Sequence, residues 1–100
     1  MLYAIIYEEM PGASERRAAS RAAHVDRLKA LQAEGRLILA GPHPLIDAAD
    51  PGPAGFSGSL IVAEFASLDA ATAWAAEEPY SKAGVFAKVT VKPFKKTFPS

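Results

Sequence analysis

A chain of 100 residues has room for one compact core and no second domain, so residues 1–100 are read as a single unit that is only modestly stable without a partner chain. Eleven Lys and Arg balance eleven Asp and Glu, and half of the residues are apolar, which removes the basic footprint of a nucleic-acid binder and the composition of a disordered chain. No apolar run approaches the roughly 20 residues that span a bilayer, and cysteine is absent, which rules out disulfides, thiol catalysis and cysteine-ligated zinc.

The opening "LYAIIYEE" (2–9) is β-branched or aromatic on both alternating faces and lacks the basic region and cleavage site of a signal peptide. It predicts a central strand and, by default, a cytoplasmic protein. "MPGAS" breaks the chain, Ser14 is the expected N-cap, and an alanine-rich helix runs to Gly35, a natural C′ residue. "RLILAGP" (36–42) is a short strand halted by Gly41 and Pro42, and the Pro-, Gly- and Asp-rich "HPLIDAADPGPAGFSG" reads as loop. "SLIVAEFA" (59–66) is a second two-faced apolar strand, and "SLDAATAWAAEE" (67–78) is a helix capped by Ser67 and stopped by Pro79. "GVFAKVTVKPFKKTF" (84–98) alternates as a last strand with a basic tail. The order βαββαβ predicts a ferredoxin-like α+β domain, a four-stranded antiparallel sheet with both helices on one face. The other face, apolar in two of its strands, then needs a cover, and the expected partner is a second copy packed sheet to sheet.

Within "RAAHVDRLKAL" (21–31), His24 points in the same direction as Leu28 and Leu31, the buried side of the helix, with Arg21 one turn before it. Two readings compete. As a core filler the ring is hydrogen-bonded to a nearby carbonyl, and leucine would be tolerated in its place. As a general acid/base it stands at a pocket wall, where an imidazole titrating near neutrality is useful. "EEPY" (77–80) places two carboxylates at the negative end of the second helix dipole, an unfavourable position that a cationic partner would relieve. Since the two helices share one sheet face, His24 and Arg21 are the candidates. His43, between two prolines, reads as loop surface, and two unpaired histidines do not make a metal site. Ser59 either starts its strand or touches a ligand, with no neighbouring base to make it a nucleophile. The aromatic residues read as core, and Trp74 is expected to be buried against the sheet.

"RAAHVDRLKALQAEGRLILAGPHP", "DPGPAGFSGSLIVAEFASLDAATAWAAEEPY" and "AGVFAKVTVKPFKKTF" together resemble the YciI-like proteins over essentially the whole length. The resemblance implies a subunit that dimerises through its sheet into a dimeric α+β barrel, with a cleft holding a histidine–aspartate pair. Relatives of that family include a dehalogenase of chlorinated muconolactones and, more distantly, muconolactone isomerases. Carried over, the R-x-x-H motif falls on Arg21 and His24. The family's acid, in an Asp-Pro-aromatic motif, falls on Glu78, one methylene longer, with Tyr80 as the aromatic. "AGP", including Gly41 and Pro42, and the Gly58–Ser59 pair match as pocket rim. The implied activity is a cofactor-independent isomerase or lyase acting on a small anionic lactone or unsaturated acid, with His24 and Glu78 catalytic and Arg21, Gly41, Pro42, Ser59 and Tyr80 around the substrate. The alternative is a ligand-binding or regulatory module without turnover, and a haem- or quinone-using barrel has no motif to support it.

Overall fold

In a computed structural model that describes residues 1–100, strand β1 (Leu2–Glu9) lies inside a four-stranded sheet. It is followed by helix α1 (Ser14–Ala33), strand β2 (Leu37–Pro44), a single 3₁₀ turn (Gly52–Ala54), strand β3 (Phe56–Glu64), helix α2 (Leu68–Ala76), a short helix α3 (Pro79–Lys82) and strand β4 (Phe86–Phe94). The sheet order is β2-β3-β1-β4 with every pairing antiparallel. This is the ferredoxin-like α+β arrangement that the element order predicts. The two strands with apolar residues on both faces, β1 and β3, occupy the centre.

Register assigns the faces, because residues directly opposite in an antiparallel pair point the same way. Tyr3, Ile5 and Tyr7 stand opposite Ala63, Ile61 and Ser59 and are buried beneath the helices, where the Tyr7 hydroxyl donates to the Ala75 carbonyl of α2. Leu2, Ala4 and Ile6 pair with Glu64, Val62 and Leu60 on the other face, next to Leu39 and Phe94, which are exposed. No helix covers that side.

Helix ends follow local chemistry. Ser67 Oγ accepts from the Ala70 amide at the start of α2. After α1, the Gly35 amide donates to Gln32 and the Arg36 amide to Leu31, a Schellman closure that requires the left-handed φ of +72° at Gly35. The start of α1 differs from expectation. Ala13 holds the cap position, Ser14 is already helical, and no side chain caps the first turn.

Two boundaries also move. β2 runs on through Pro42, His43 and Pro44, and β3 begins at Phe56, so the loop shortens to 45–55. Prolines fit here because β2 is an edge strand, whose outer amides have no ladder partner to lose; Pro93 sits likewise in the other edge strand, β4. His43 is exposed, as expected of a surface residue, but on a strand. Trp74 is only partly buried: its ring tilts against Phe65 at 5.6 Å and carries the Arg27 guanidinium at 4.1 Å. The cation takes the place of full burial against the sheet.

At Gly58 of β3 the backbone of β1 leaves no room for a side chain. A β-carbon there would lie 1.9 Å from the Tyr7 carbonyl oxygen, and backbone atoms of a paired strand have nowhere to move. Gly58→Ala is expected to destabilise the domain by about 3 kcal/mol or more, above the usual overpacking range because no rotamer relieves it. Urea denaturation gives the value, and a midpoint equal to wild type would show that β1 and β3 do not approach so closely at Gly58.

Candidate functional site

One face of α1 carries Arg17, Arg21, His24, Leu28 and Leu31, at steps of four, three, four and three residues, which keeps them in line along the helix. That row hangs over the β2–β3 side of the sheet, and between the layers lies a cavity of about 200 Å³. Its roof is Arg17, Arg21, His24, Val25 and Leu28. Its floor is Ala40, Gly41, Pro42, Ser59 and Ile61, with Phe56 and Tyr80 closing the sides. Hence Arg21, His24, Gly41, Pro42, Ser59 and Tyr80 all line one space, while Glu78 sits behind the imidazole.

The histidine–carboxylate pair forms. His24 Nδ1 and Glu78 Oε1 are hydrogen-bonded, joining two residues 54 positions apart in sequence. His24 is 8% exposed and Glu78 fully buried. A carboxylate accepts only, so the shared hydrogen belongs to Nδ1, and the lone pair of a neutral ring is left on Nε2. Nε2 has no partner within the chain, and the ring borders the cavity. Tyr80 stacks on the imidazole with centroids 4.2 Å apart and planes 20° apart, fixing its tilt.

Glu78 is not at the end of α2, which corrects the expectation that both glutamates face the negative pole of that helix. α2 stops at Ala76, Glu77 is its C-cap, and Pro79 starts α3 instead of only stopping α2. Glu78 has extended backbone and is the N-cap of α3, its Oε2 accepting the Tyr80 amide at 2.6 Å. The carboxylate thus meets a free amide and the proline that suits a first helical position. Glu77 is the one at an unfavourable helix end, and Lys82 pairs with it at 2.6 Å, holding its carboxyl below the ordinary range. Arg21 does not bind Glu78 and stands at the cavity with its guanidinium uncommitted.

With Glu78 buried and bonded to His24, a leucine at position 24 would strand a carboxylate among apolar groups, so the ring is not an exchangeable core filler. The charge is felt nearby. Burial pushes the pKa of the Tyr7 hydroxyl far above the ordinary phenol value, and the Glu78 carboxylate adds to the rise. Tyr80 is likewise pushed up by burial, against the pull of Arg17 and Arg21, so both hydroxyls stay protonated near neutrality.

Two wall residues escape the sequence reading. Arg17 is bonded to the buried carboxylate of Glu9 at 2.6 Å and lies over the rings of Phe56, 4.5 Å away, and Tyr80, 5.1 Å away. Its position in the row with Arg21 and His24 is the signal that could have found it. Phe56 lies in a stretch that reads as loop and offers no such signal. Elsewhere, no three His, Cys, Asp or Glu side chains gather, and no helix is long and apolar enough to cross a membrane.

Comparison with known proteins identifies the family and the fold of the chain. The model of the YCII-related domain matches residues 1–95. Protein YciI of Escherichia coli and a protein of Haemophilus influenzae are each 53% identical over 98 residues, covering 98% of this chain and 100% of the relative. Among solved structures, 5-chloro-2-hydroxyhydroquinone dehydrochlorinase (TftG) from Burkholderia phenoliruptrix AC1100, in complex with 2,5-dihydroxybenzoquinone, superposes with a TM-score of 0.83 at 28% identity. The match covers 95% of this chain and 94% of that one. Atu4242 from Agrobacterium tumefaciens shares the fold, with a TM-score of 0.55 at 18% identity over 100% of this chain and 97% of that one. On a family match that spans nearly its full length, the chain belongs to the YCII-related family.

Proposed function

We propose that the chain is an acid/base enzyme of the isomerase or lyase type, which needs no cofactor for its proton transfers and acts on a small, planar, anionic ring or unsaturated acid. The observation that carries this reading is the imidazole whose Nδ1 is tied to the buried Glu78 while Nε2 borders a cavity flanked by Arg17 and Arg21. A cavity near 150 Å³ can hold benzene, so one of about 200 Å³ suits a single six-membered ring with a few oxygens. Arg21 supplies the counter-charge, its planar fork matching a carboxylate or an ionised ring oxygen.

In this mechanism His24 Nε2 removes a proton from a carbon next to a carbonyl. The C–H pair moves into a C=C bond and the carbonyl oxygen takes the negative charge. The electrons then return either to expel a group on the adjacent carbon, as chloride in a dehydrochlorination, or to take the proton back from Nε2 at another carbon, which is isomerisation. Glu78 keeps the ring in the productive tautomer and faces the imidazolium while it carries the proton. The similarity to a dehydrochlorinase supports the elimination branch. The test follows solvent deuterium incorporation into unsaturated lactones by mass spectrometry, and chloride release from 5-chloro-2-hydroxyhydroquinone, where the protons lost come from ring hydroxyls, the chlorine-bearing carbon gains a proton, and the electrons of the ionised ring oxygen expel chloride to leave a quinone. Deuterium entering a bound lactone, or chloride release above the uncatalysed rate, supports turnover. Binding without either outcome would make the protein a ligand-binding module.

A second copy is the proposed cover for the helix-free sheet face. Leu2, Ala4, Ile6, Leu39, Leu60 and Val62 lie together there on β1, β2 and β3, and a contiguous apolar surface of this kind is uncommon on a monomer. Sedimentation equilibrium at micromolar concentration is expected to give twice the chain mass. A well-folded monomer would refute the dimer.

A further inference from the structure

Ser59 is the one polar side chain on the cavity floor, and its hydroxyl stands alone. The residue is 3% exposed, and its Oγ is buried without a hydrogen-bond partner in the chain. Buried hydroxyls nearly always find a partner, because leaving one unpaired forfeits its hydration for nothing. Its strand neighbours offer none. Ser59 stands opposite Tyr7 on β1 and Pro42 on β2; the Tyr7 hydroxyl is engaged with Ala75, and proline has no amide hydrogen to give. The hydroxyl is also not a nucleophile in waiting, since His24 makes its in-chain bond to Glu78 and none to Ser59.

Position is fixed tightly for a residue with no partner. At Gly58 before it the backbone of β1 leaves no room for a side chain, and the register there turns Ser59 to the helix side. His24 hangs from the helix layer above the same cavity. Base and hydroxyl therefore face one space from opposite layers. A planar ring lying between them would present a C–H to one and a ring oxygen to the other.

We propose that Ser59 Oγ donates the hydrogen bond that holds the substrate's carbonyl oxygen and keeps holding it as it becomes the enolate, so that Ser59 is a catalytic residue of this site and selects ligands with an oxygen at that place. This rests on the acid/base reading of His24 and adds the group that receives the charge His24 creates. Preorganised donors of this kind act where charge develops, and deleting one lowers turnover by about 10²- to 10³-fold in well-studied cases. The unpartnered hydroxyl of the free protein is the donor kept ready for that oxygen.

A hydroxyl kept for a ligand leaves a signature that a structural hydroxyl does not. Ser59→Ala removes an unsatisfied buried group, so the free protein should melt a few degrees higher than wild type, while its binding of an oxygenated ring should weaken about tenfold or more. The probe is 2,5-dihydroxybenzoquinone, titrated by its absorbance into wild type, Ser59→Ala and His24→Asn, alongside thermal melts of each free protein. A higher melting point together with weaker binding in Ser59→Ala supports the proposal. Ser59→Ala binding the probe as tightly as wild type, or melting below it, would overturn the proposal while leaving the His24 reading in place if His24→Asn still weakens the probe. Wild type failing to bind the probe at millimolar concentration would defeat both.

Discussion

His24→Asn should lower proton exchange into a bound lactone, or chloride release, by about 10²- to 10⁴-fold, the contribution of a positioned general base, without unfolding the domain. The choice of asparagine follows from the contact with Glu78. Its amide nitrogen can stand near the place of Nδ1 and donate to the same carboxylate oxygen, so the buried acid keeps a partner, whereas nothing replaces Nε2 at the cavity. His24→Leu is the contrasting variant. It removes base and donor together and leaves Glu78 buried beside a hydrocarbon, for which a loss of about 3 to 5 kcal/mol is expected. Turnover by the His24→Asn variant at the wild-type rate, measured with the same lactone, would remove His24 from the mechanism. Equal stability of the leucine variant and wild type would show that Glu78 does not depend on the ring.

Glu78→Gln is expected to cost as much activity by a different route. The amide is the same size and can still accept from the Tyr80 amide, as Glu78 Oε2 does at 2.6 Å, so α3 should keep its start. Its NH2, however, presents a donor to Nδ1 where the carboxylate presented an acceptor. The ring answers by moving its hydrogen to Nε2, which takes the lone pair away from the cavity. Tautomer inversion of this kind lowers turnover about 10⁴-fold in the serine-protease triad, and a loss of about 10²-fold or more is expected here. Imidazole ¹⁵N shifts report the tautomer directly: wild type should show hydrogen on Nδ1, and Glu78→Gln hydrogen on Nε2. Unchanged shifts would mean that the side chain at 78 does not set the tautomer. Glu78→Asp keeps charge and capping ability and returns the acid of the resembled motif, so it should retain most of the activity that Gln loses. If Asp and Gln are equally inactive, the pair needs the length of Glu as well as its charge.

The extra methylene of Glu78 is accommodated by where the residue sits. In the extended backbone before Pro79, the side chain folds back over its own helix start, placing one oxygen on the Tyr80 amide and the other on His24. From the sequence, "AAEEPY" reads as the tail of α2. The helix ends instead at Ala76, and that earlier boundary changes which glutamate meets which helix pole. Glu77 is left exposed with Lys82, and Glu78 is taken inside. Helix ends are decided by competition among near-equal caps, so a local pattern resolves them poorly.

Much else was legible because it rests on periodicities that local geometry enforces. Apolar residues on both alternating faces of "LYAIIYEE" and "SLIVAEFA" identified the two central strands, since only a strand with neighbours on both sides can bury side chains on both faces. The row from Arg21 through His24 to Leu31 identified the inner side of α1, because 3.6 residues per turn puts those side chains on one line. Gly35 marked a helix end that its left-handed backbone then made. By itself, then, the sequence determined the element order, the α+β class, the covered face of the sheet and the placing of a histidine where a helix meets it.

Only tertiary structure decided what that histidine does. The partner carboxylate arrives from 54 residues away, and no spacing rule connects α1 with the start of α3, which come side by side only in the folded chain. Arg17 becomes a cavity wall because Glu9 on β1 and the rings of Phe56 and Tyr80 converge on it from three other elements. Ser59 loses every in-chain partner because its neighbours across the strands are a tyrosine already bonded elsewhere and a proline. The physical reason is the same in each case: periodicity fixes which way a side chain points, but a hydrogen bond or an unpaired group depends on what the rest of the chain brings within about 3 Å of it.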